Sequence, residues 1–247
     1  MIIINRKRIH IILCCLLVSL FTFAVQTANN NETDKKTENS VVTTATPASG
    51  KTIVIDAGHG TPDEGAQSSN GTTEAQTNLK IALKLQNLLE QNGSKVILTR
   101  SDEKAIYSLD SKTLRQKKIS DIRNRVKIGN ENSADIYVSI HLNKIPQSEY
   151  SGWQCFYNTK NENSIKLAKQ LQENLNEAIQ KENTRVPMKL DTVYIMKKVE
   201  IPISIVECGF LSNPEEEKQL LEDSYQNRLA WGIYNGILDY FYSKDNI

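Results

Sequence analysis

Five short apolar runs, each ending near a polar residue or a turn, set the frame for this chain. They are Thr52–Asp56 (TIVID), Lys95–Thr99 (KVILT), Asp135–His141 (DIYVSIH), Gly152–Asn158 (GWQCFYN) and Ile201–Cys208 (IPISIVEC). Their length and β-branched content suit buried strands. Pro202 sits near the start of its run, where a missing N–H is tolerated. The segments between them carry helical spacing. Glu74–Asn92 places Leu79, Ala82, Leu83, Leu85, Leu88 and Leu89 inward, with Gly93 as its C-terminal cap. A more polar helix lies within Leu114–Asn130. Ser164–Glu182 turns Ile165, Leu167, Ala168, Leu171, Leu175 and Ile179 inward. Asn213-Pro214 followed by three glutamates opens another helix, and Ser224–Tyr242 forms the last. Such alternation predicts an α/β fold: a single domain with a mostly parallel central sheet flanked by helices on both faces.

The first 50 residues are of another kind. Arg6, Lys7 and Arg8 precede a nearly continuous apolar run from Ile9 to Val25. Residues 1–25 therefore read as a signal peptide or an N-terminal membrane anchor, and export across the membrane follows in either case. Residues 26–50 are polar, rich in Thr and Asn and without periodicity, which predicts a flexible linker. The domain is then 51–247. Beyond residue 50 the chain holds 25 basic and 26 acidic residues, so it has no surplus positive charge for a nucleic-acid partner. Cys155 and Cys208 lie within strands and lack CxxC spacing; two buried free thiols are expected.

In an open parallel sheet, sites form beyond the carboxyl ends of the strands. His59 follows the first strand by three residues, His141 ends the third, Glu207 lies near the end of a later one, and Glu74 opens the helix after the first loop. A single strand-end histidine is commonly a hydrogen-bonded structural residue. Two of them on one edge, with a glutamate between, also make the three-ligand set of a catalytic zinc whose fourth position stays open. Asp56 either orients His59 through its second ring nitrogen or caps the strand end. Arg100 is expected to form an ion pair with Asp102 or Asp121. Trp153 and Tyr157 belong either to the core or to a groove.

These residues resemble the zinc-dependent N-acetylmuramoyl-L-alanine amidases of the bacterial cell wall, the amidase 3 type, over nearly all of residues 52–242. IVIDAGHG (53–60), Glu74 leading to LTR (98–100), ADIYVSIHLN (134–143) and PISIVECGFLSNPEE (202–216) carry the resemblance. Ala57, Thr61 and Leu142 depart from the commoner pattern. The resemblance implies that His59, Glu74 and His141 bind zinc and that Glu207 is the catalytic acid and base. Alternation along a strand would then turn Cys208 to the packed side. It also implies hydrolysis of the amide between N-acetylmuramic acid and the L-alanine of the stem peptide, with peptidoglycan glycan strands as the partner.

SIHLN around the second histidine, and a lone catalytic domain behind the N-terminal segment, are similar to the spore-cortex subgroup, in which stem removal prepares muramic-lactam formation. That resemblance implies a place in the cell envelope, with the forespore intermembrane space as one candidate compartment. With no wall-binding repeat to concentrate substrate, placement would fall to membrane association or to an accessory or activator protein. The competing readings are a zinc peptidase that cuts within the stem peptide and a non-catalytic domain that binds glycan strands.

Overall fold

The computed structural model describes residues 45–245. The segment read as a signal or anchor, and residues 26–44 of the linker, lie outside the described residues. The rest of the expected linker is packed onto the domain. Ala48 is fully buried, Thr46 Oγ1 donates to Asn92 O, and Ser94 Oγ donates to Ala48 O. The end of the first helix thus gives residues 46–48 hydrogen-bond and packing partners, which composition alone does not show.

Six strands form one sheet: β1 (Thr52–Ala57), β2 (Lys95–Leu98), β3 (Ile136–Asn143), β4 (Gln154–Tyr157), β5 (Met188–Lys189) and β6 (Ile203–Phe210). The spatial order is β2-β1-β3-β6-β4-β5. The first four run parallel, β4 pairs antiparallel with β6, and β5 runs parallel to β4. The helices are α1 (Glu74–Gln91), α2 (Leu114–Glu131), α3 (Glu162–Ile179), α4 (Tyr194–Lys198), α5 (Pro214–Leu221) and α6 (Asp223–Asp245).

Apolar side chains from α1, α3 and α6 pack with Ile53, Ile55, Val138, Ile140 and Val206 to form the larger core. On the other face, α2 and α4 meet Val54, Tyr137, Ile203 and Ile205. Each fully buried aliphatic side chain contributes about 1.5–3 kcal/mol by leaving water, so the first face holds most of the apolar stabilisation. The second face is thinner, since the buried residues of α2 are Asp121, Arg125 and Gly129.

Two short elements escape sequence periodicity, β5 and α4. Both exist through tertiary contacts: β5 is held by pairing with β4, and α4 by burying Ile195 and Met196. Leu83 and Ile165 face solvent instead of the core, because the buried stripe of each helix is narrower than its apolar content. Asn213 caps α5 through both Glu215 N and Glu216 N, with Pro214 in the first turn, as the sequence predicts. Trp153 is core, and its indole N–H donates to Asn176 Oδ1. Tyr157 is half-buried in a groove against α3.

Candidate metal centre

The carboxyl ends of β1, β3 and β6 converge as parallel topology requires. His141 on β3 sits in register with Glu207 on β6. Residues 205 and 207 point to the α2 face of β6, while Val206 and Cys208 point into the larger core. Cys155 and Cys208 are buried free thiols, and burial pushes both well above their usual range.

His59, Glu74 and His141 offer donor atoms that all lie within 4.8 Å of one another, enough to hold a metal ion. Glu74 Oε1 is 2.9 Å from His141 Nδ1 and 3.4 Å from His59 Nε2. The two rings stand edge to face with centroids 5.1 Å apart. Glu74 is fixed at the first turn of α1, and its Oε2 accepts from Ala66 N while Oε1 accepts from Leu142 N. Burial opposes its ionisation, but hydrogen bonds to His141 and His59 hold its carboxyl far below the usual range. Burial also opposes protonation of His59, yet Asp63 and Glu74 raise it to about 9. Two carboxylates facing one imidazole thus make a site that favours positive charge.

The loop is built around these side chains. A Cβ on Gly58 would stand 2.3–2.7 Å from the His141 ring, and one on Gly65 would stand 2.6 Å from Glu74 Oε2. Neither position accepts a larger residue without moving a donor. His59 itself adopts φ +62°, a left-handed conformation that costs a non-glycine residue about 1–3 kcal/mol. Arg125 offsets that cost. Its Nη2 donates to His59 O at 2.5 Å and its Nη1 to Ala57 O at 2.7 Å.

Asp56 takes neither of the roles considered for it. It is buried and accepts from Thr99, Ser139 and Arg125. Burial would raise its pKa, but the Arg125 charge and the hydroxyl donors bring it down to about 2. The second ring nitrogen of His59 belongs to Asp63 instead, with Nδ1 at 3.3 Å from Oδ2. Arg100 does not form the expected ion pair through its guanidinium. It donates to the carbonyls of Ala57, Gly58, Ala75 and Asp102, while Asp121 pairs with Arg125. Sequence reasoning missed Asp63 and Arg125. The signals available were an acid four residues after His59 and the Asp121–Arg125 spacing of one helical turn.

Glu207 shares a cavity of about 500 Å³ with His59 and His141. Its Oε2 is buried and has no hydrogen-bond partner among the described residues. Burial, reinforced by the nearby Glu74 carboxylate and opposed by the two histidines, raises its pKa to about 7. A buried acceptor left unpaired costs about 1–3 kcal/mol, and such costs concentrate where a ligand or reacting group completes the arrangement.

The glutamates of the NPEE stretch fasten neighbouring segments to the start of α5. Glu216 accepts from Phe210 N and Gly152 N, both at 2.7 Å. Glu217 accepts from Ser68 Oγ, Asn70 Nδ2 and Thr72 Oγ1 in the loop before α1.

Comparison with known proteins places the chain in a family. The N-acetylmuramoyl-L-alanine amidase family, amidase 3, matches residues 53–239. The germination-specific N-acetylmuramoyl-L-alanine amidase of Bacillus subtilis (strain 168) is 36% identical over 228 residues, covering 92% of each chain. The CwlD amidase from Clostridioides difficile, solved in complex with the GerS lipoprotein, is 43% identical with a TM-score of 0.76, covering 78% of this chain and 99% of that one. An N-acetylmuramoyl-L-alanine amidase from Clostridium difficile 630 is 30% identical with a TM-score of 0.69, covering 79% and 98%. With the family model and these relatives spanning nearly all of the described domain, the chain belongs to the N-acetylmuramoyl-L-alanine amidases, hydrolases of peptidoglycan.

Proposed function

We propose that the chain cleaves the amide between the lactyl group of N-acetylmuramic acid and L-alanine with one zinc ion held by His59, Glu74 and His141, and with Glu207 as base and then acid. The observation that carries this reading is the convergence of three donors beside a buried, unpartnered Glu207 oxygen. Two imidazoles and a carboxylate, without thiolate, are the donor set of a catalytic zinc site with an open position. When bound, zinc polarises the scissile carbonyl and lowers the pKa of a water in that open position. Asp63 holds the far nitrogen of His59 and so fixes the orientation of its ring. Glu207 takes the proton of the attacking water and passes it to the departing alanine amine. Burial pushes this carboxyl up, which suits a group that takes a proton and then returns it.

The likeness to a germination-specific relative supports a role in spore cortex peptidoglycan, outside the cytoplasm; the basic and apolar run of residues 1–25 supports export by a signal or anchor. The lipoprotein in complex with the CwlD amidase supports an accessory protein for this chain as well. The test is mass spectrometry of peptidoglycan digested by the purified protein with zinc, and with a chelator. The expected product is an intact stem peptide with a free L-alanine amine, absent after chelation. Cuts inside the stem would replace the amidase reading with a peptidase. His141→Ala should lose zinc on dialysis, and full stoichiometry in that variant would remove His141 from the ligand set.

A further inference from the structure

We propose that the cavity beside the histidines seats the stem peptide, and that Lys118 selects stems whose second residue carries a free α-carboxylate over stems in which that group is amidated. This rests on the reading that the lactyl–alanine amide is the bond cut.

The cavity has two kinds of wall. Its apolar lining is Ile119, Ile122, Leu190, Val193, Ile195 and Ile205. That surface suits a peptide with small apolar side chains better than a hydroxyl-rich sugar. The acids on the lining are Asp56, Asp63, Asp121 and Glu207. An anionic substrate group is repelled near any of them unless a cation stands beside it. Arg125 cannot serve, because it is buried and its donors go to Asp56, Asp121 and the carbonyls of Ala57 and His59. Lys118 can. Its side chain is 50% exposed, and its ammonium meets Asp63 Oδ1 at 2.8 Å. An ammonium has three donors, so that contact leaves capacity for a second acceptor.

The reach also fits. Asp63 bridges Lys118 to His59, one carboxylate oxygen to each, so the ammonium lies two polar contacts from the His59 ring. An extended residue spans about 3.5 Å, which puts the carboxylate of the residue after alanine about 7 Å from the scissile bond. Lys118, Ile122 and Arg125 share one face of α2, so the peptide would run along the helix from the donors toward its N-terminal end.

The experiment compares kcat/KM of the zinc-loaded full chain on two peptidoglycan preparations, alike except that the second stem residue is a free acid or its amide. A half-exposed charged hydrogen bond should favour the acid by about five- to tenfold. Lys118→Met should bring the ratio to one, and Lys118→Glu should invert it. An effect transmitted through Asp63 to His59 would slow both substrates alike and leave the ratio unchanged. Equal rates in the unmodified protein, or an unchanged ratio in Lys118→Met, would overturn the proposal while leaving the amidase reading intact. If neither preparation is cut at the lactyl–alanine bond, the functional reading fails and takes the proposal with it.

Discussion

Two clusters of buried polar groups lie side by side at the carboxyl end of the sheet, and they are finished differently. Around Asp56 the charged groups find partners: Arg125 meets Asp56 and Asp121, and Thr99 and Ser139 donate to Asp56. Around Glu74 the arrangement stays open, with two imidazoles crowding one carboxylate oxygen and Glu207 Oε2 without a partner. Similar ingredients, acids and nitrogen bases, give a closed structural knot in one place and an incomplete ring of donors in the other. Pairing of the buried carboxylates separates them, more than composition or burial does.

Substitutions in each cluster should therefore fail in opposite ways. Glu207→Gln should lower turnover by about 10²- to 10⁴-fold while thermal stability holds or improves, since the replaced oxygen has no partner to lose. Zinc content measured beside activity checks this; loss of the metal would make Glu207 a ligand. Arg125→Met should cost about 3–5 kcal/mol in denaturant unfolding, because Asp56 stays buried without its cation. Small loss in that variant would mean the knot is less closed than it looks.

The acid limb of stability sharpens the contrast further. Asp56 has a folded pKa of about 2, below its unfolded value, so its contribution is present above about pH 4 and is lost as pH falls through about 2. The expected loss over that window is about 2 kcal/mol, read from unfolding midpoints at stepped pH. At the smallest end, Asn213→Ala should cost about 1 kcal/mol by leaving Glu215 N and Glu216 N uncapped, with little effect on metal content.

The open cluster was legible in the sequence and the closed one was not, for a physical reason. His59, His141 and Glu207 stand at the ends of apolar runs, where the parallel topology itself brings them together. Arg125 lies in a polar helix whose spacing announces a solvated face, and its partner Asp56 is 69 residues away. Nothing local signals that the two charges are buried together. Asp63 is hidden for a related reason, being one of several acids in a loop whose course depends on the contacts of Gly65 and Glu74. The fold reads in the same way. The long strands and helices follow from periodicity, whereas β5 and α4 are too short to carry a period and exist through their neighbours.

The two buried glutamates at the start of α5 have a consequence for motion. Glu216 grips the end of β6 and the segment before β4, and Glu217 grips the loop that leads into α1. Three stretches of chain far apart in sequence are thus fastened to a single helical turn. Such a turn acts as a common latch: fraying at the start of α5 would free all three stretches, and while it holds none of them can swing alone. The three stretches should open as one cooperative unit, with the amides of Gly152 and Phe210 exchanging their hydrogens at a shared rate.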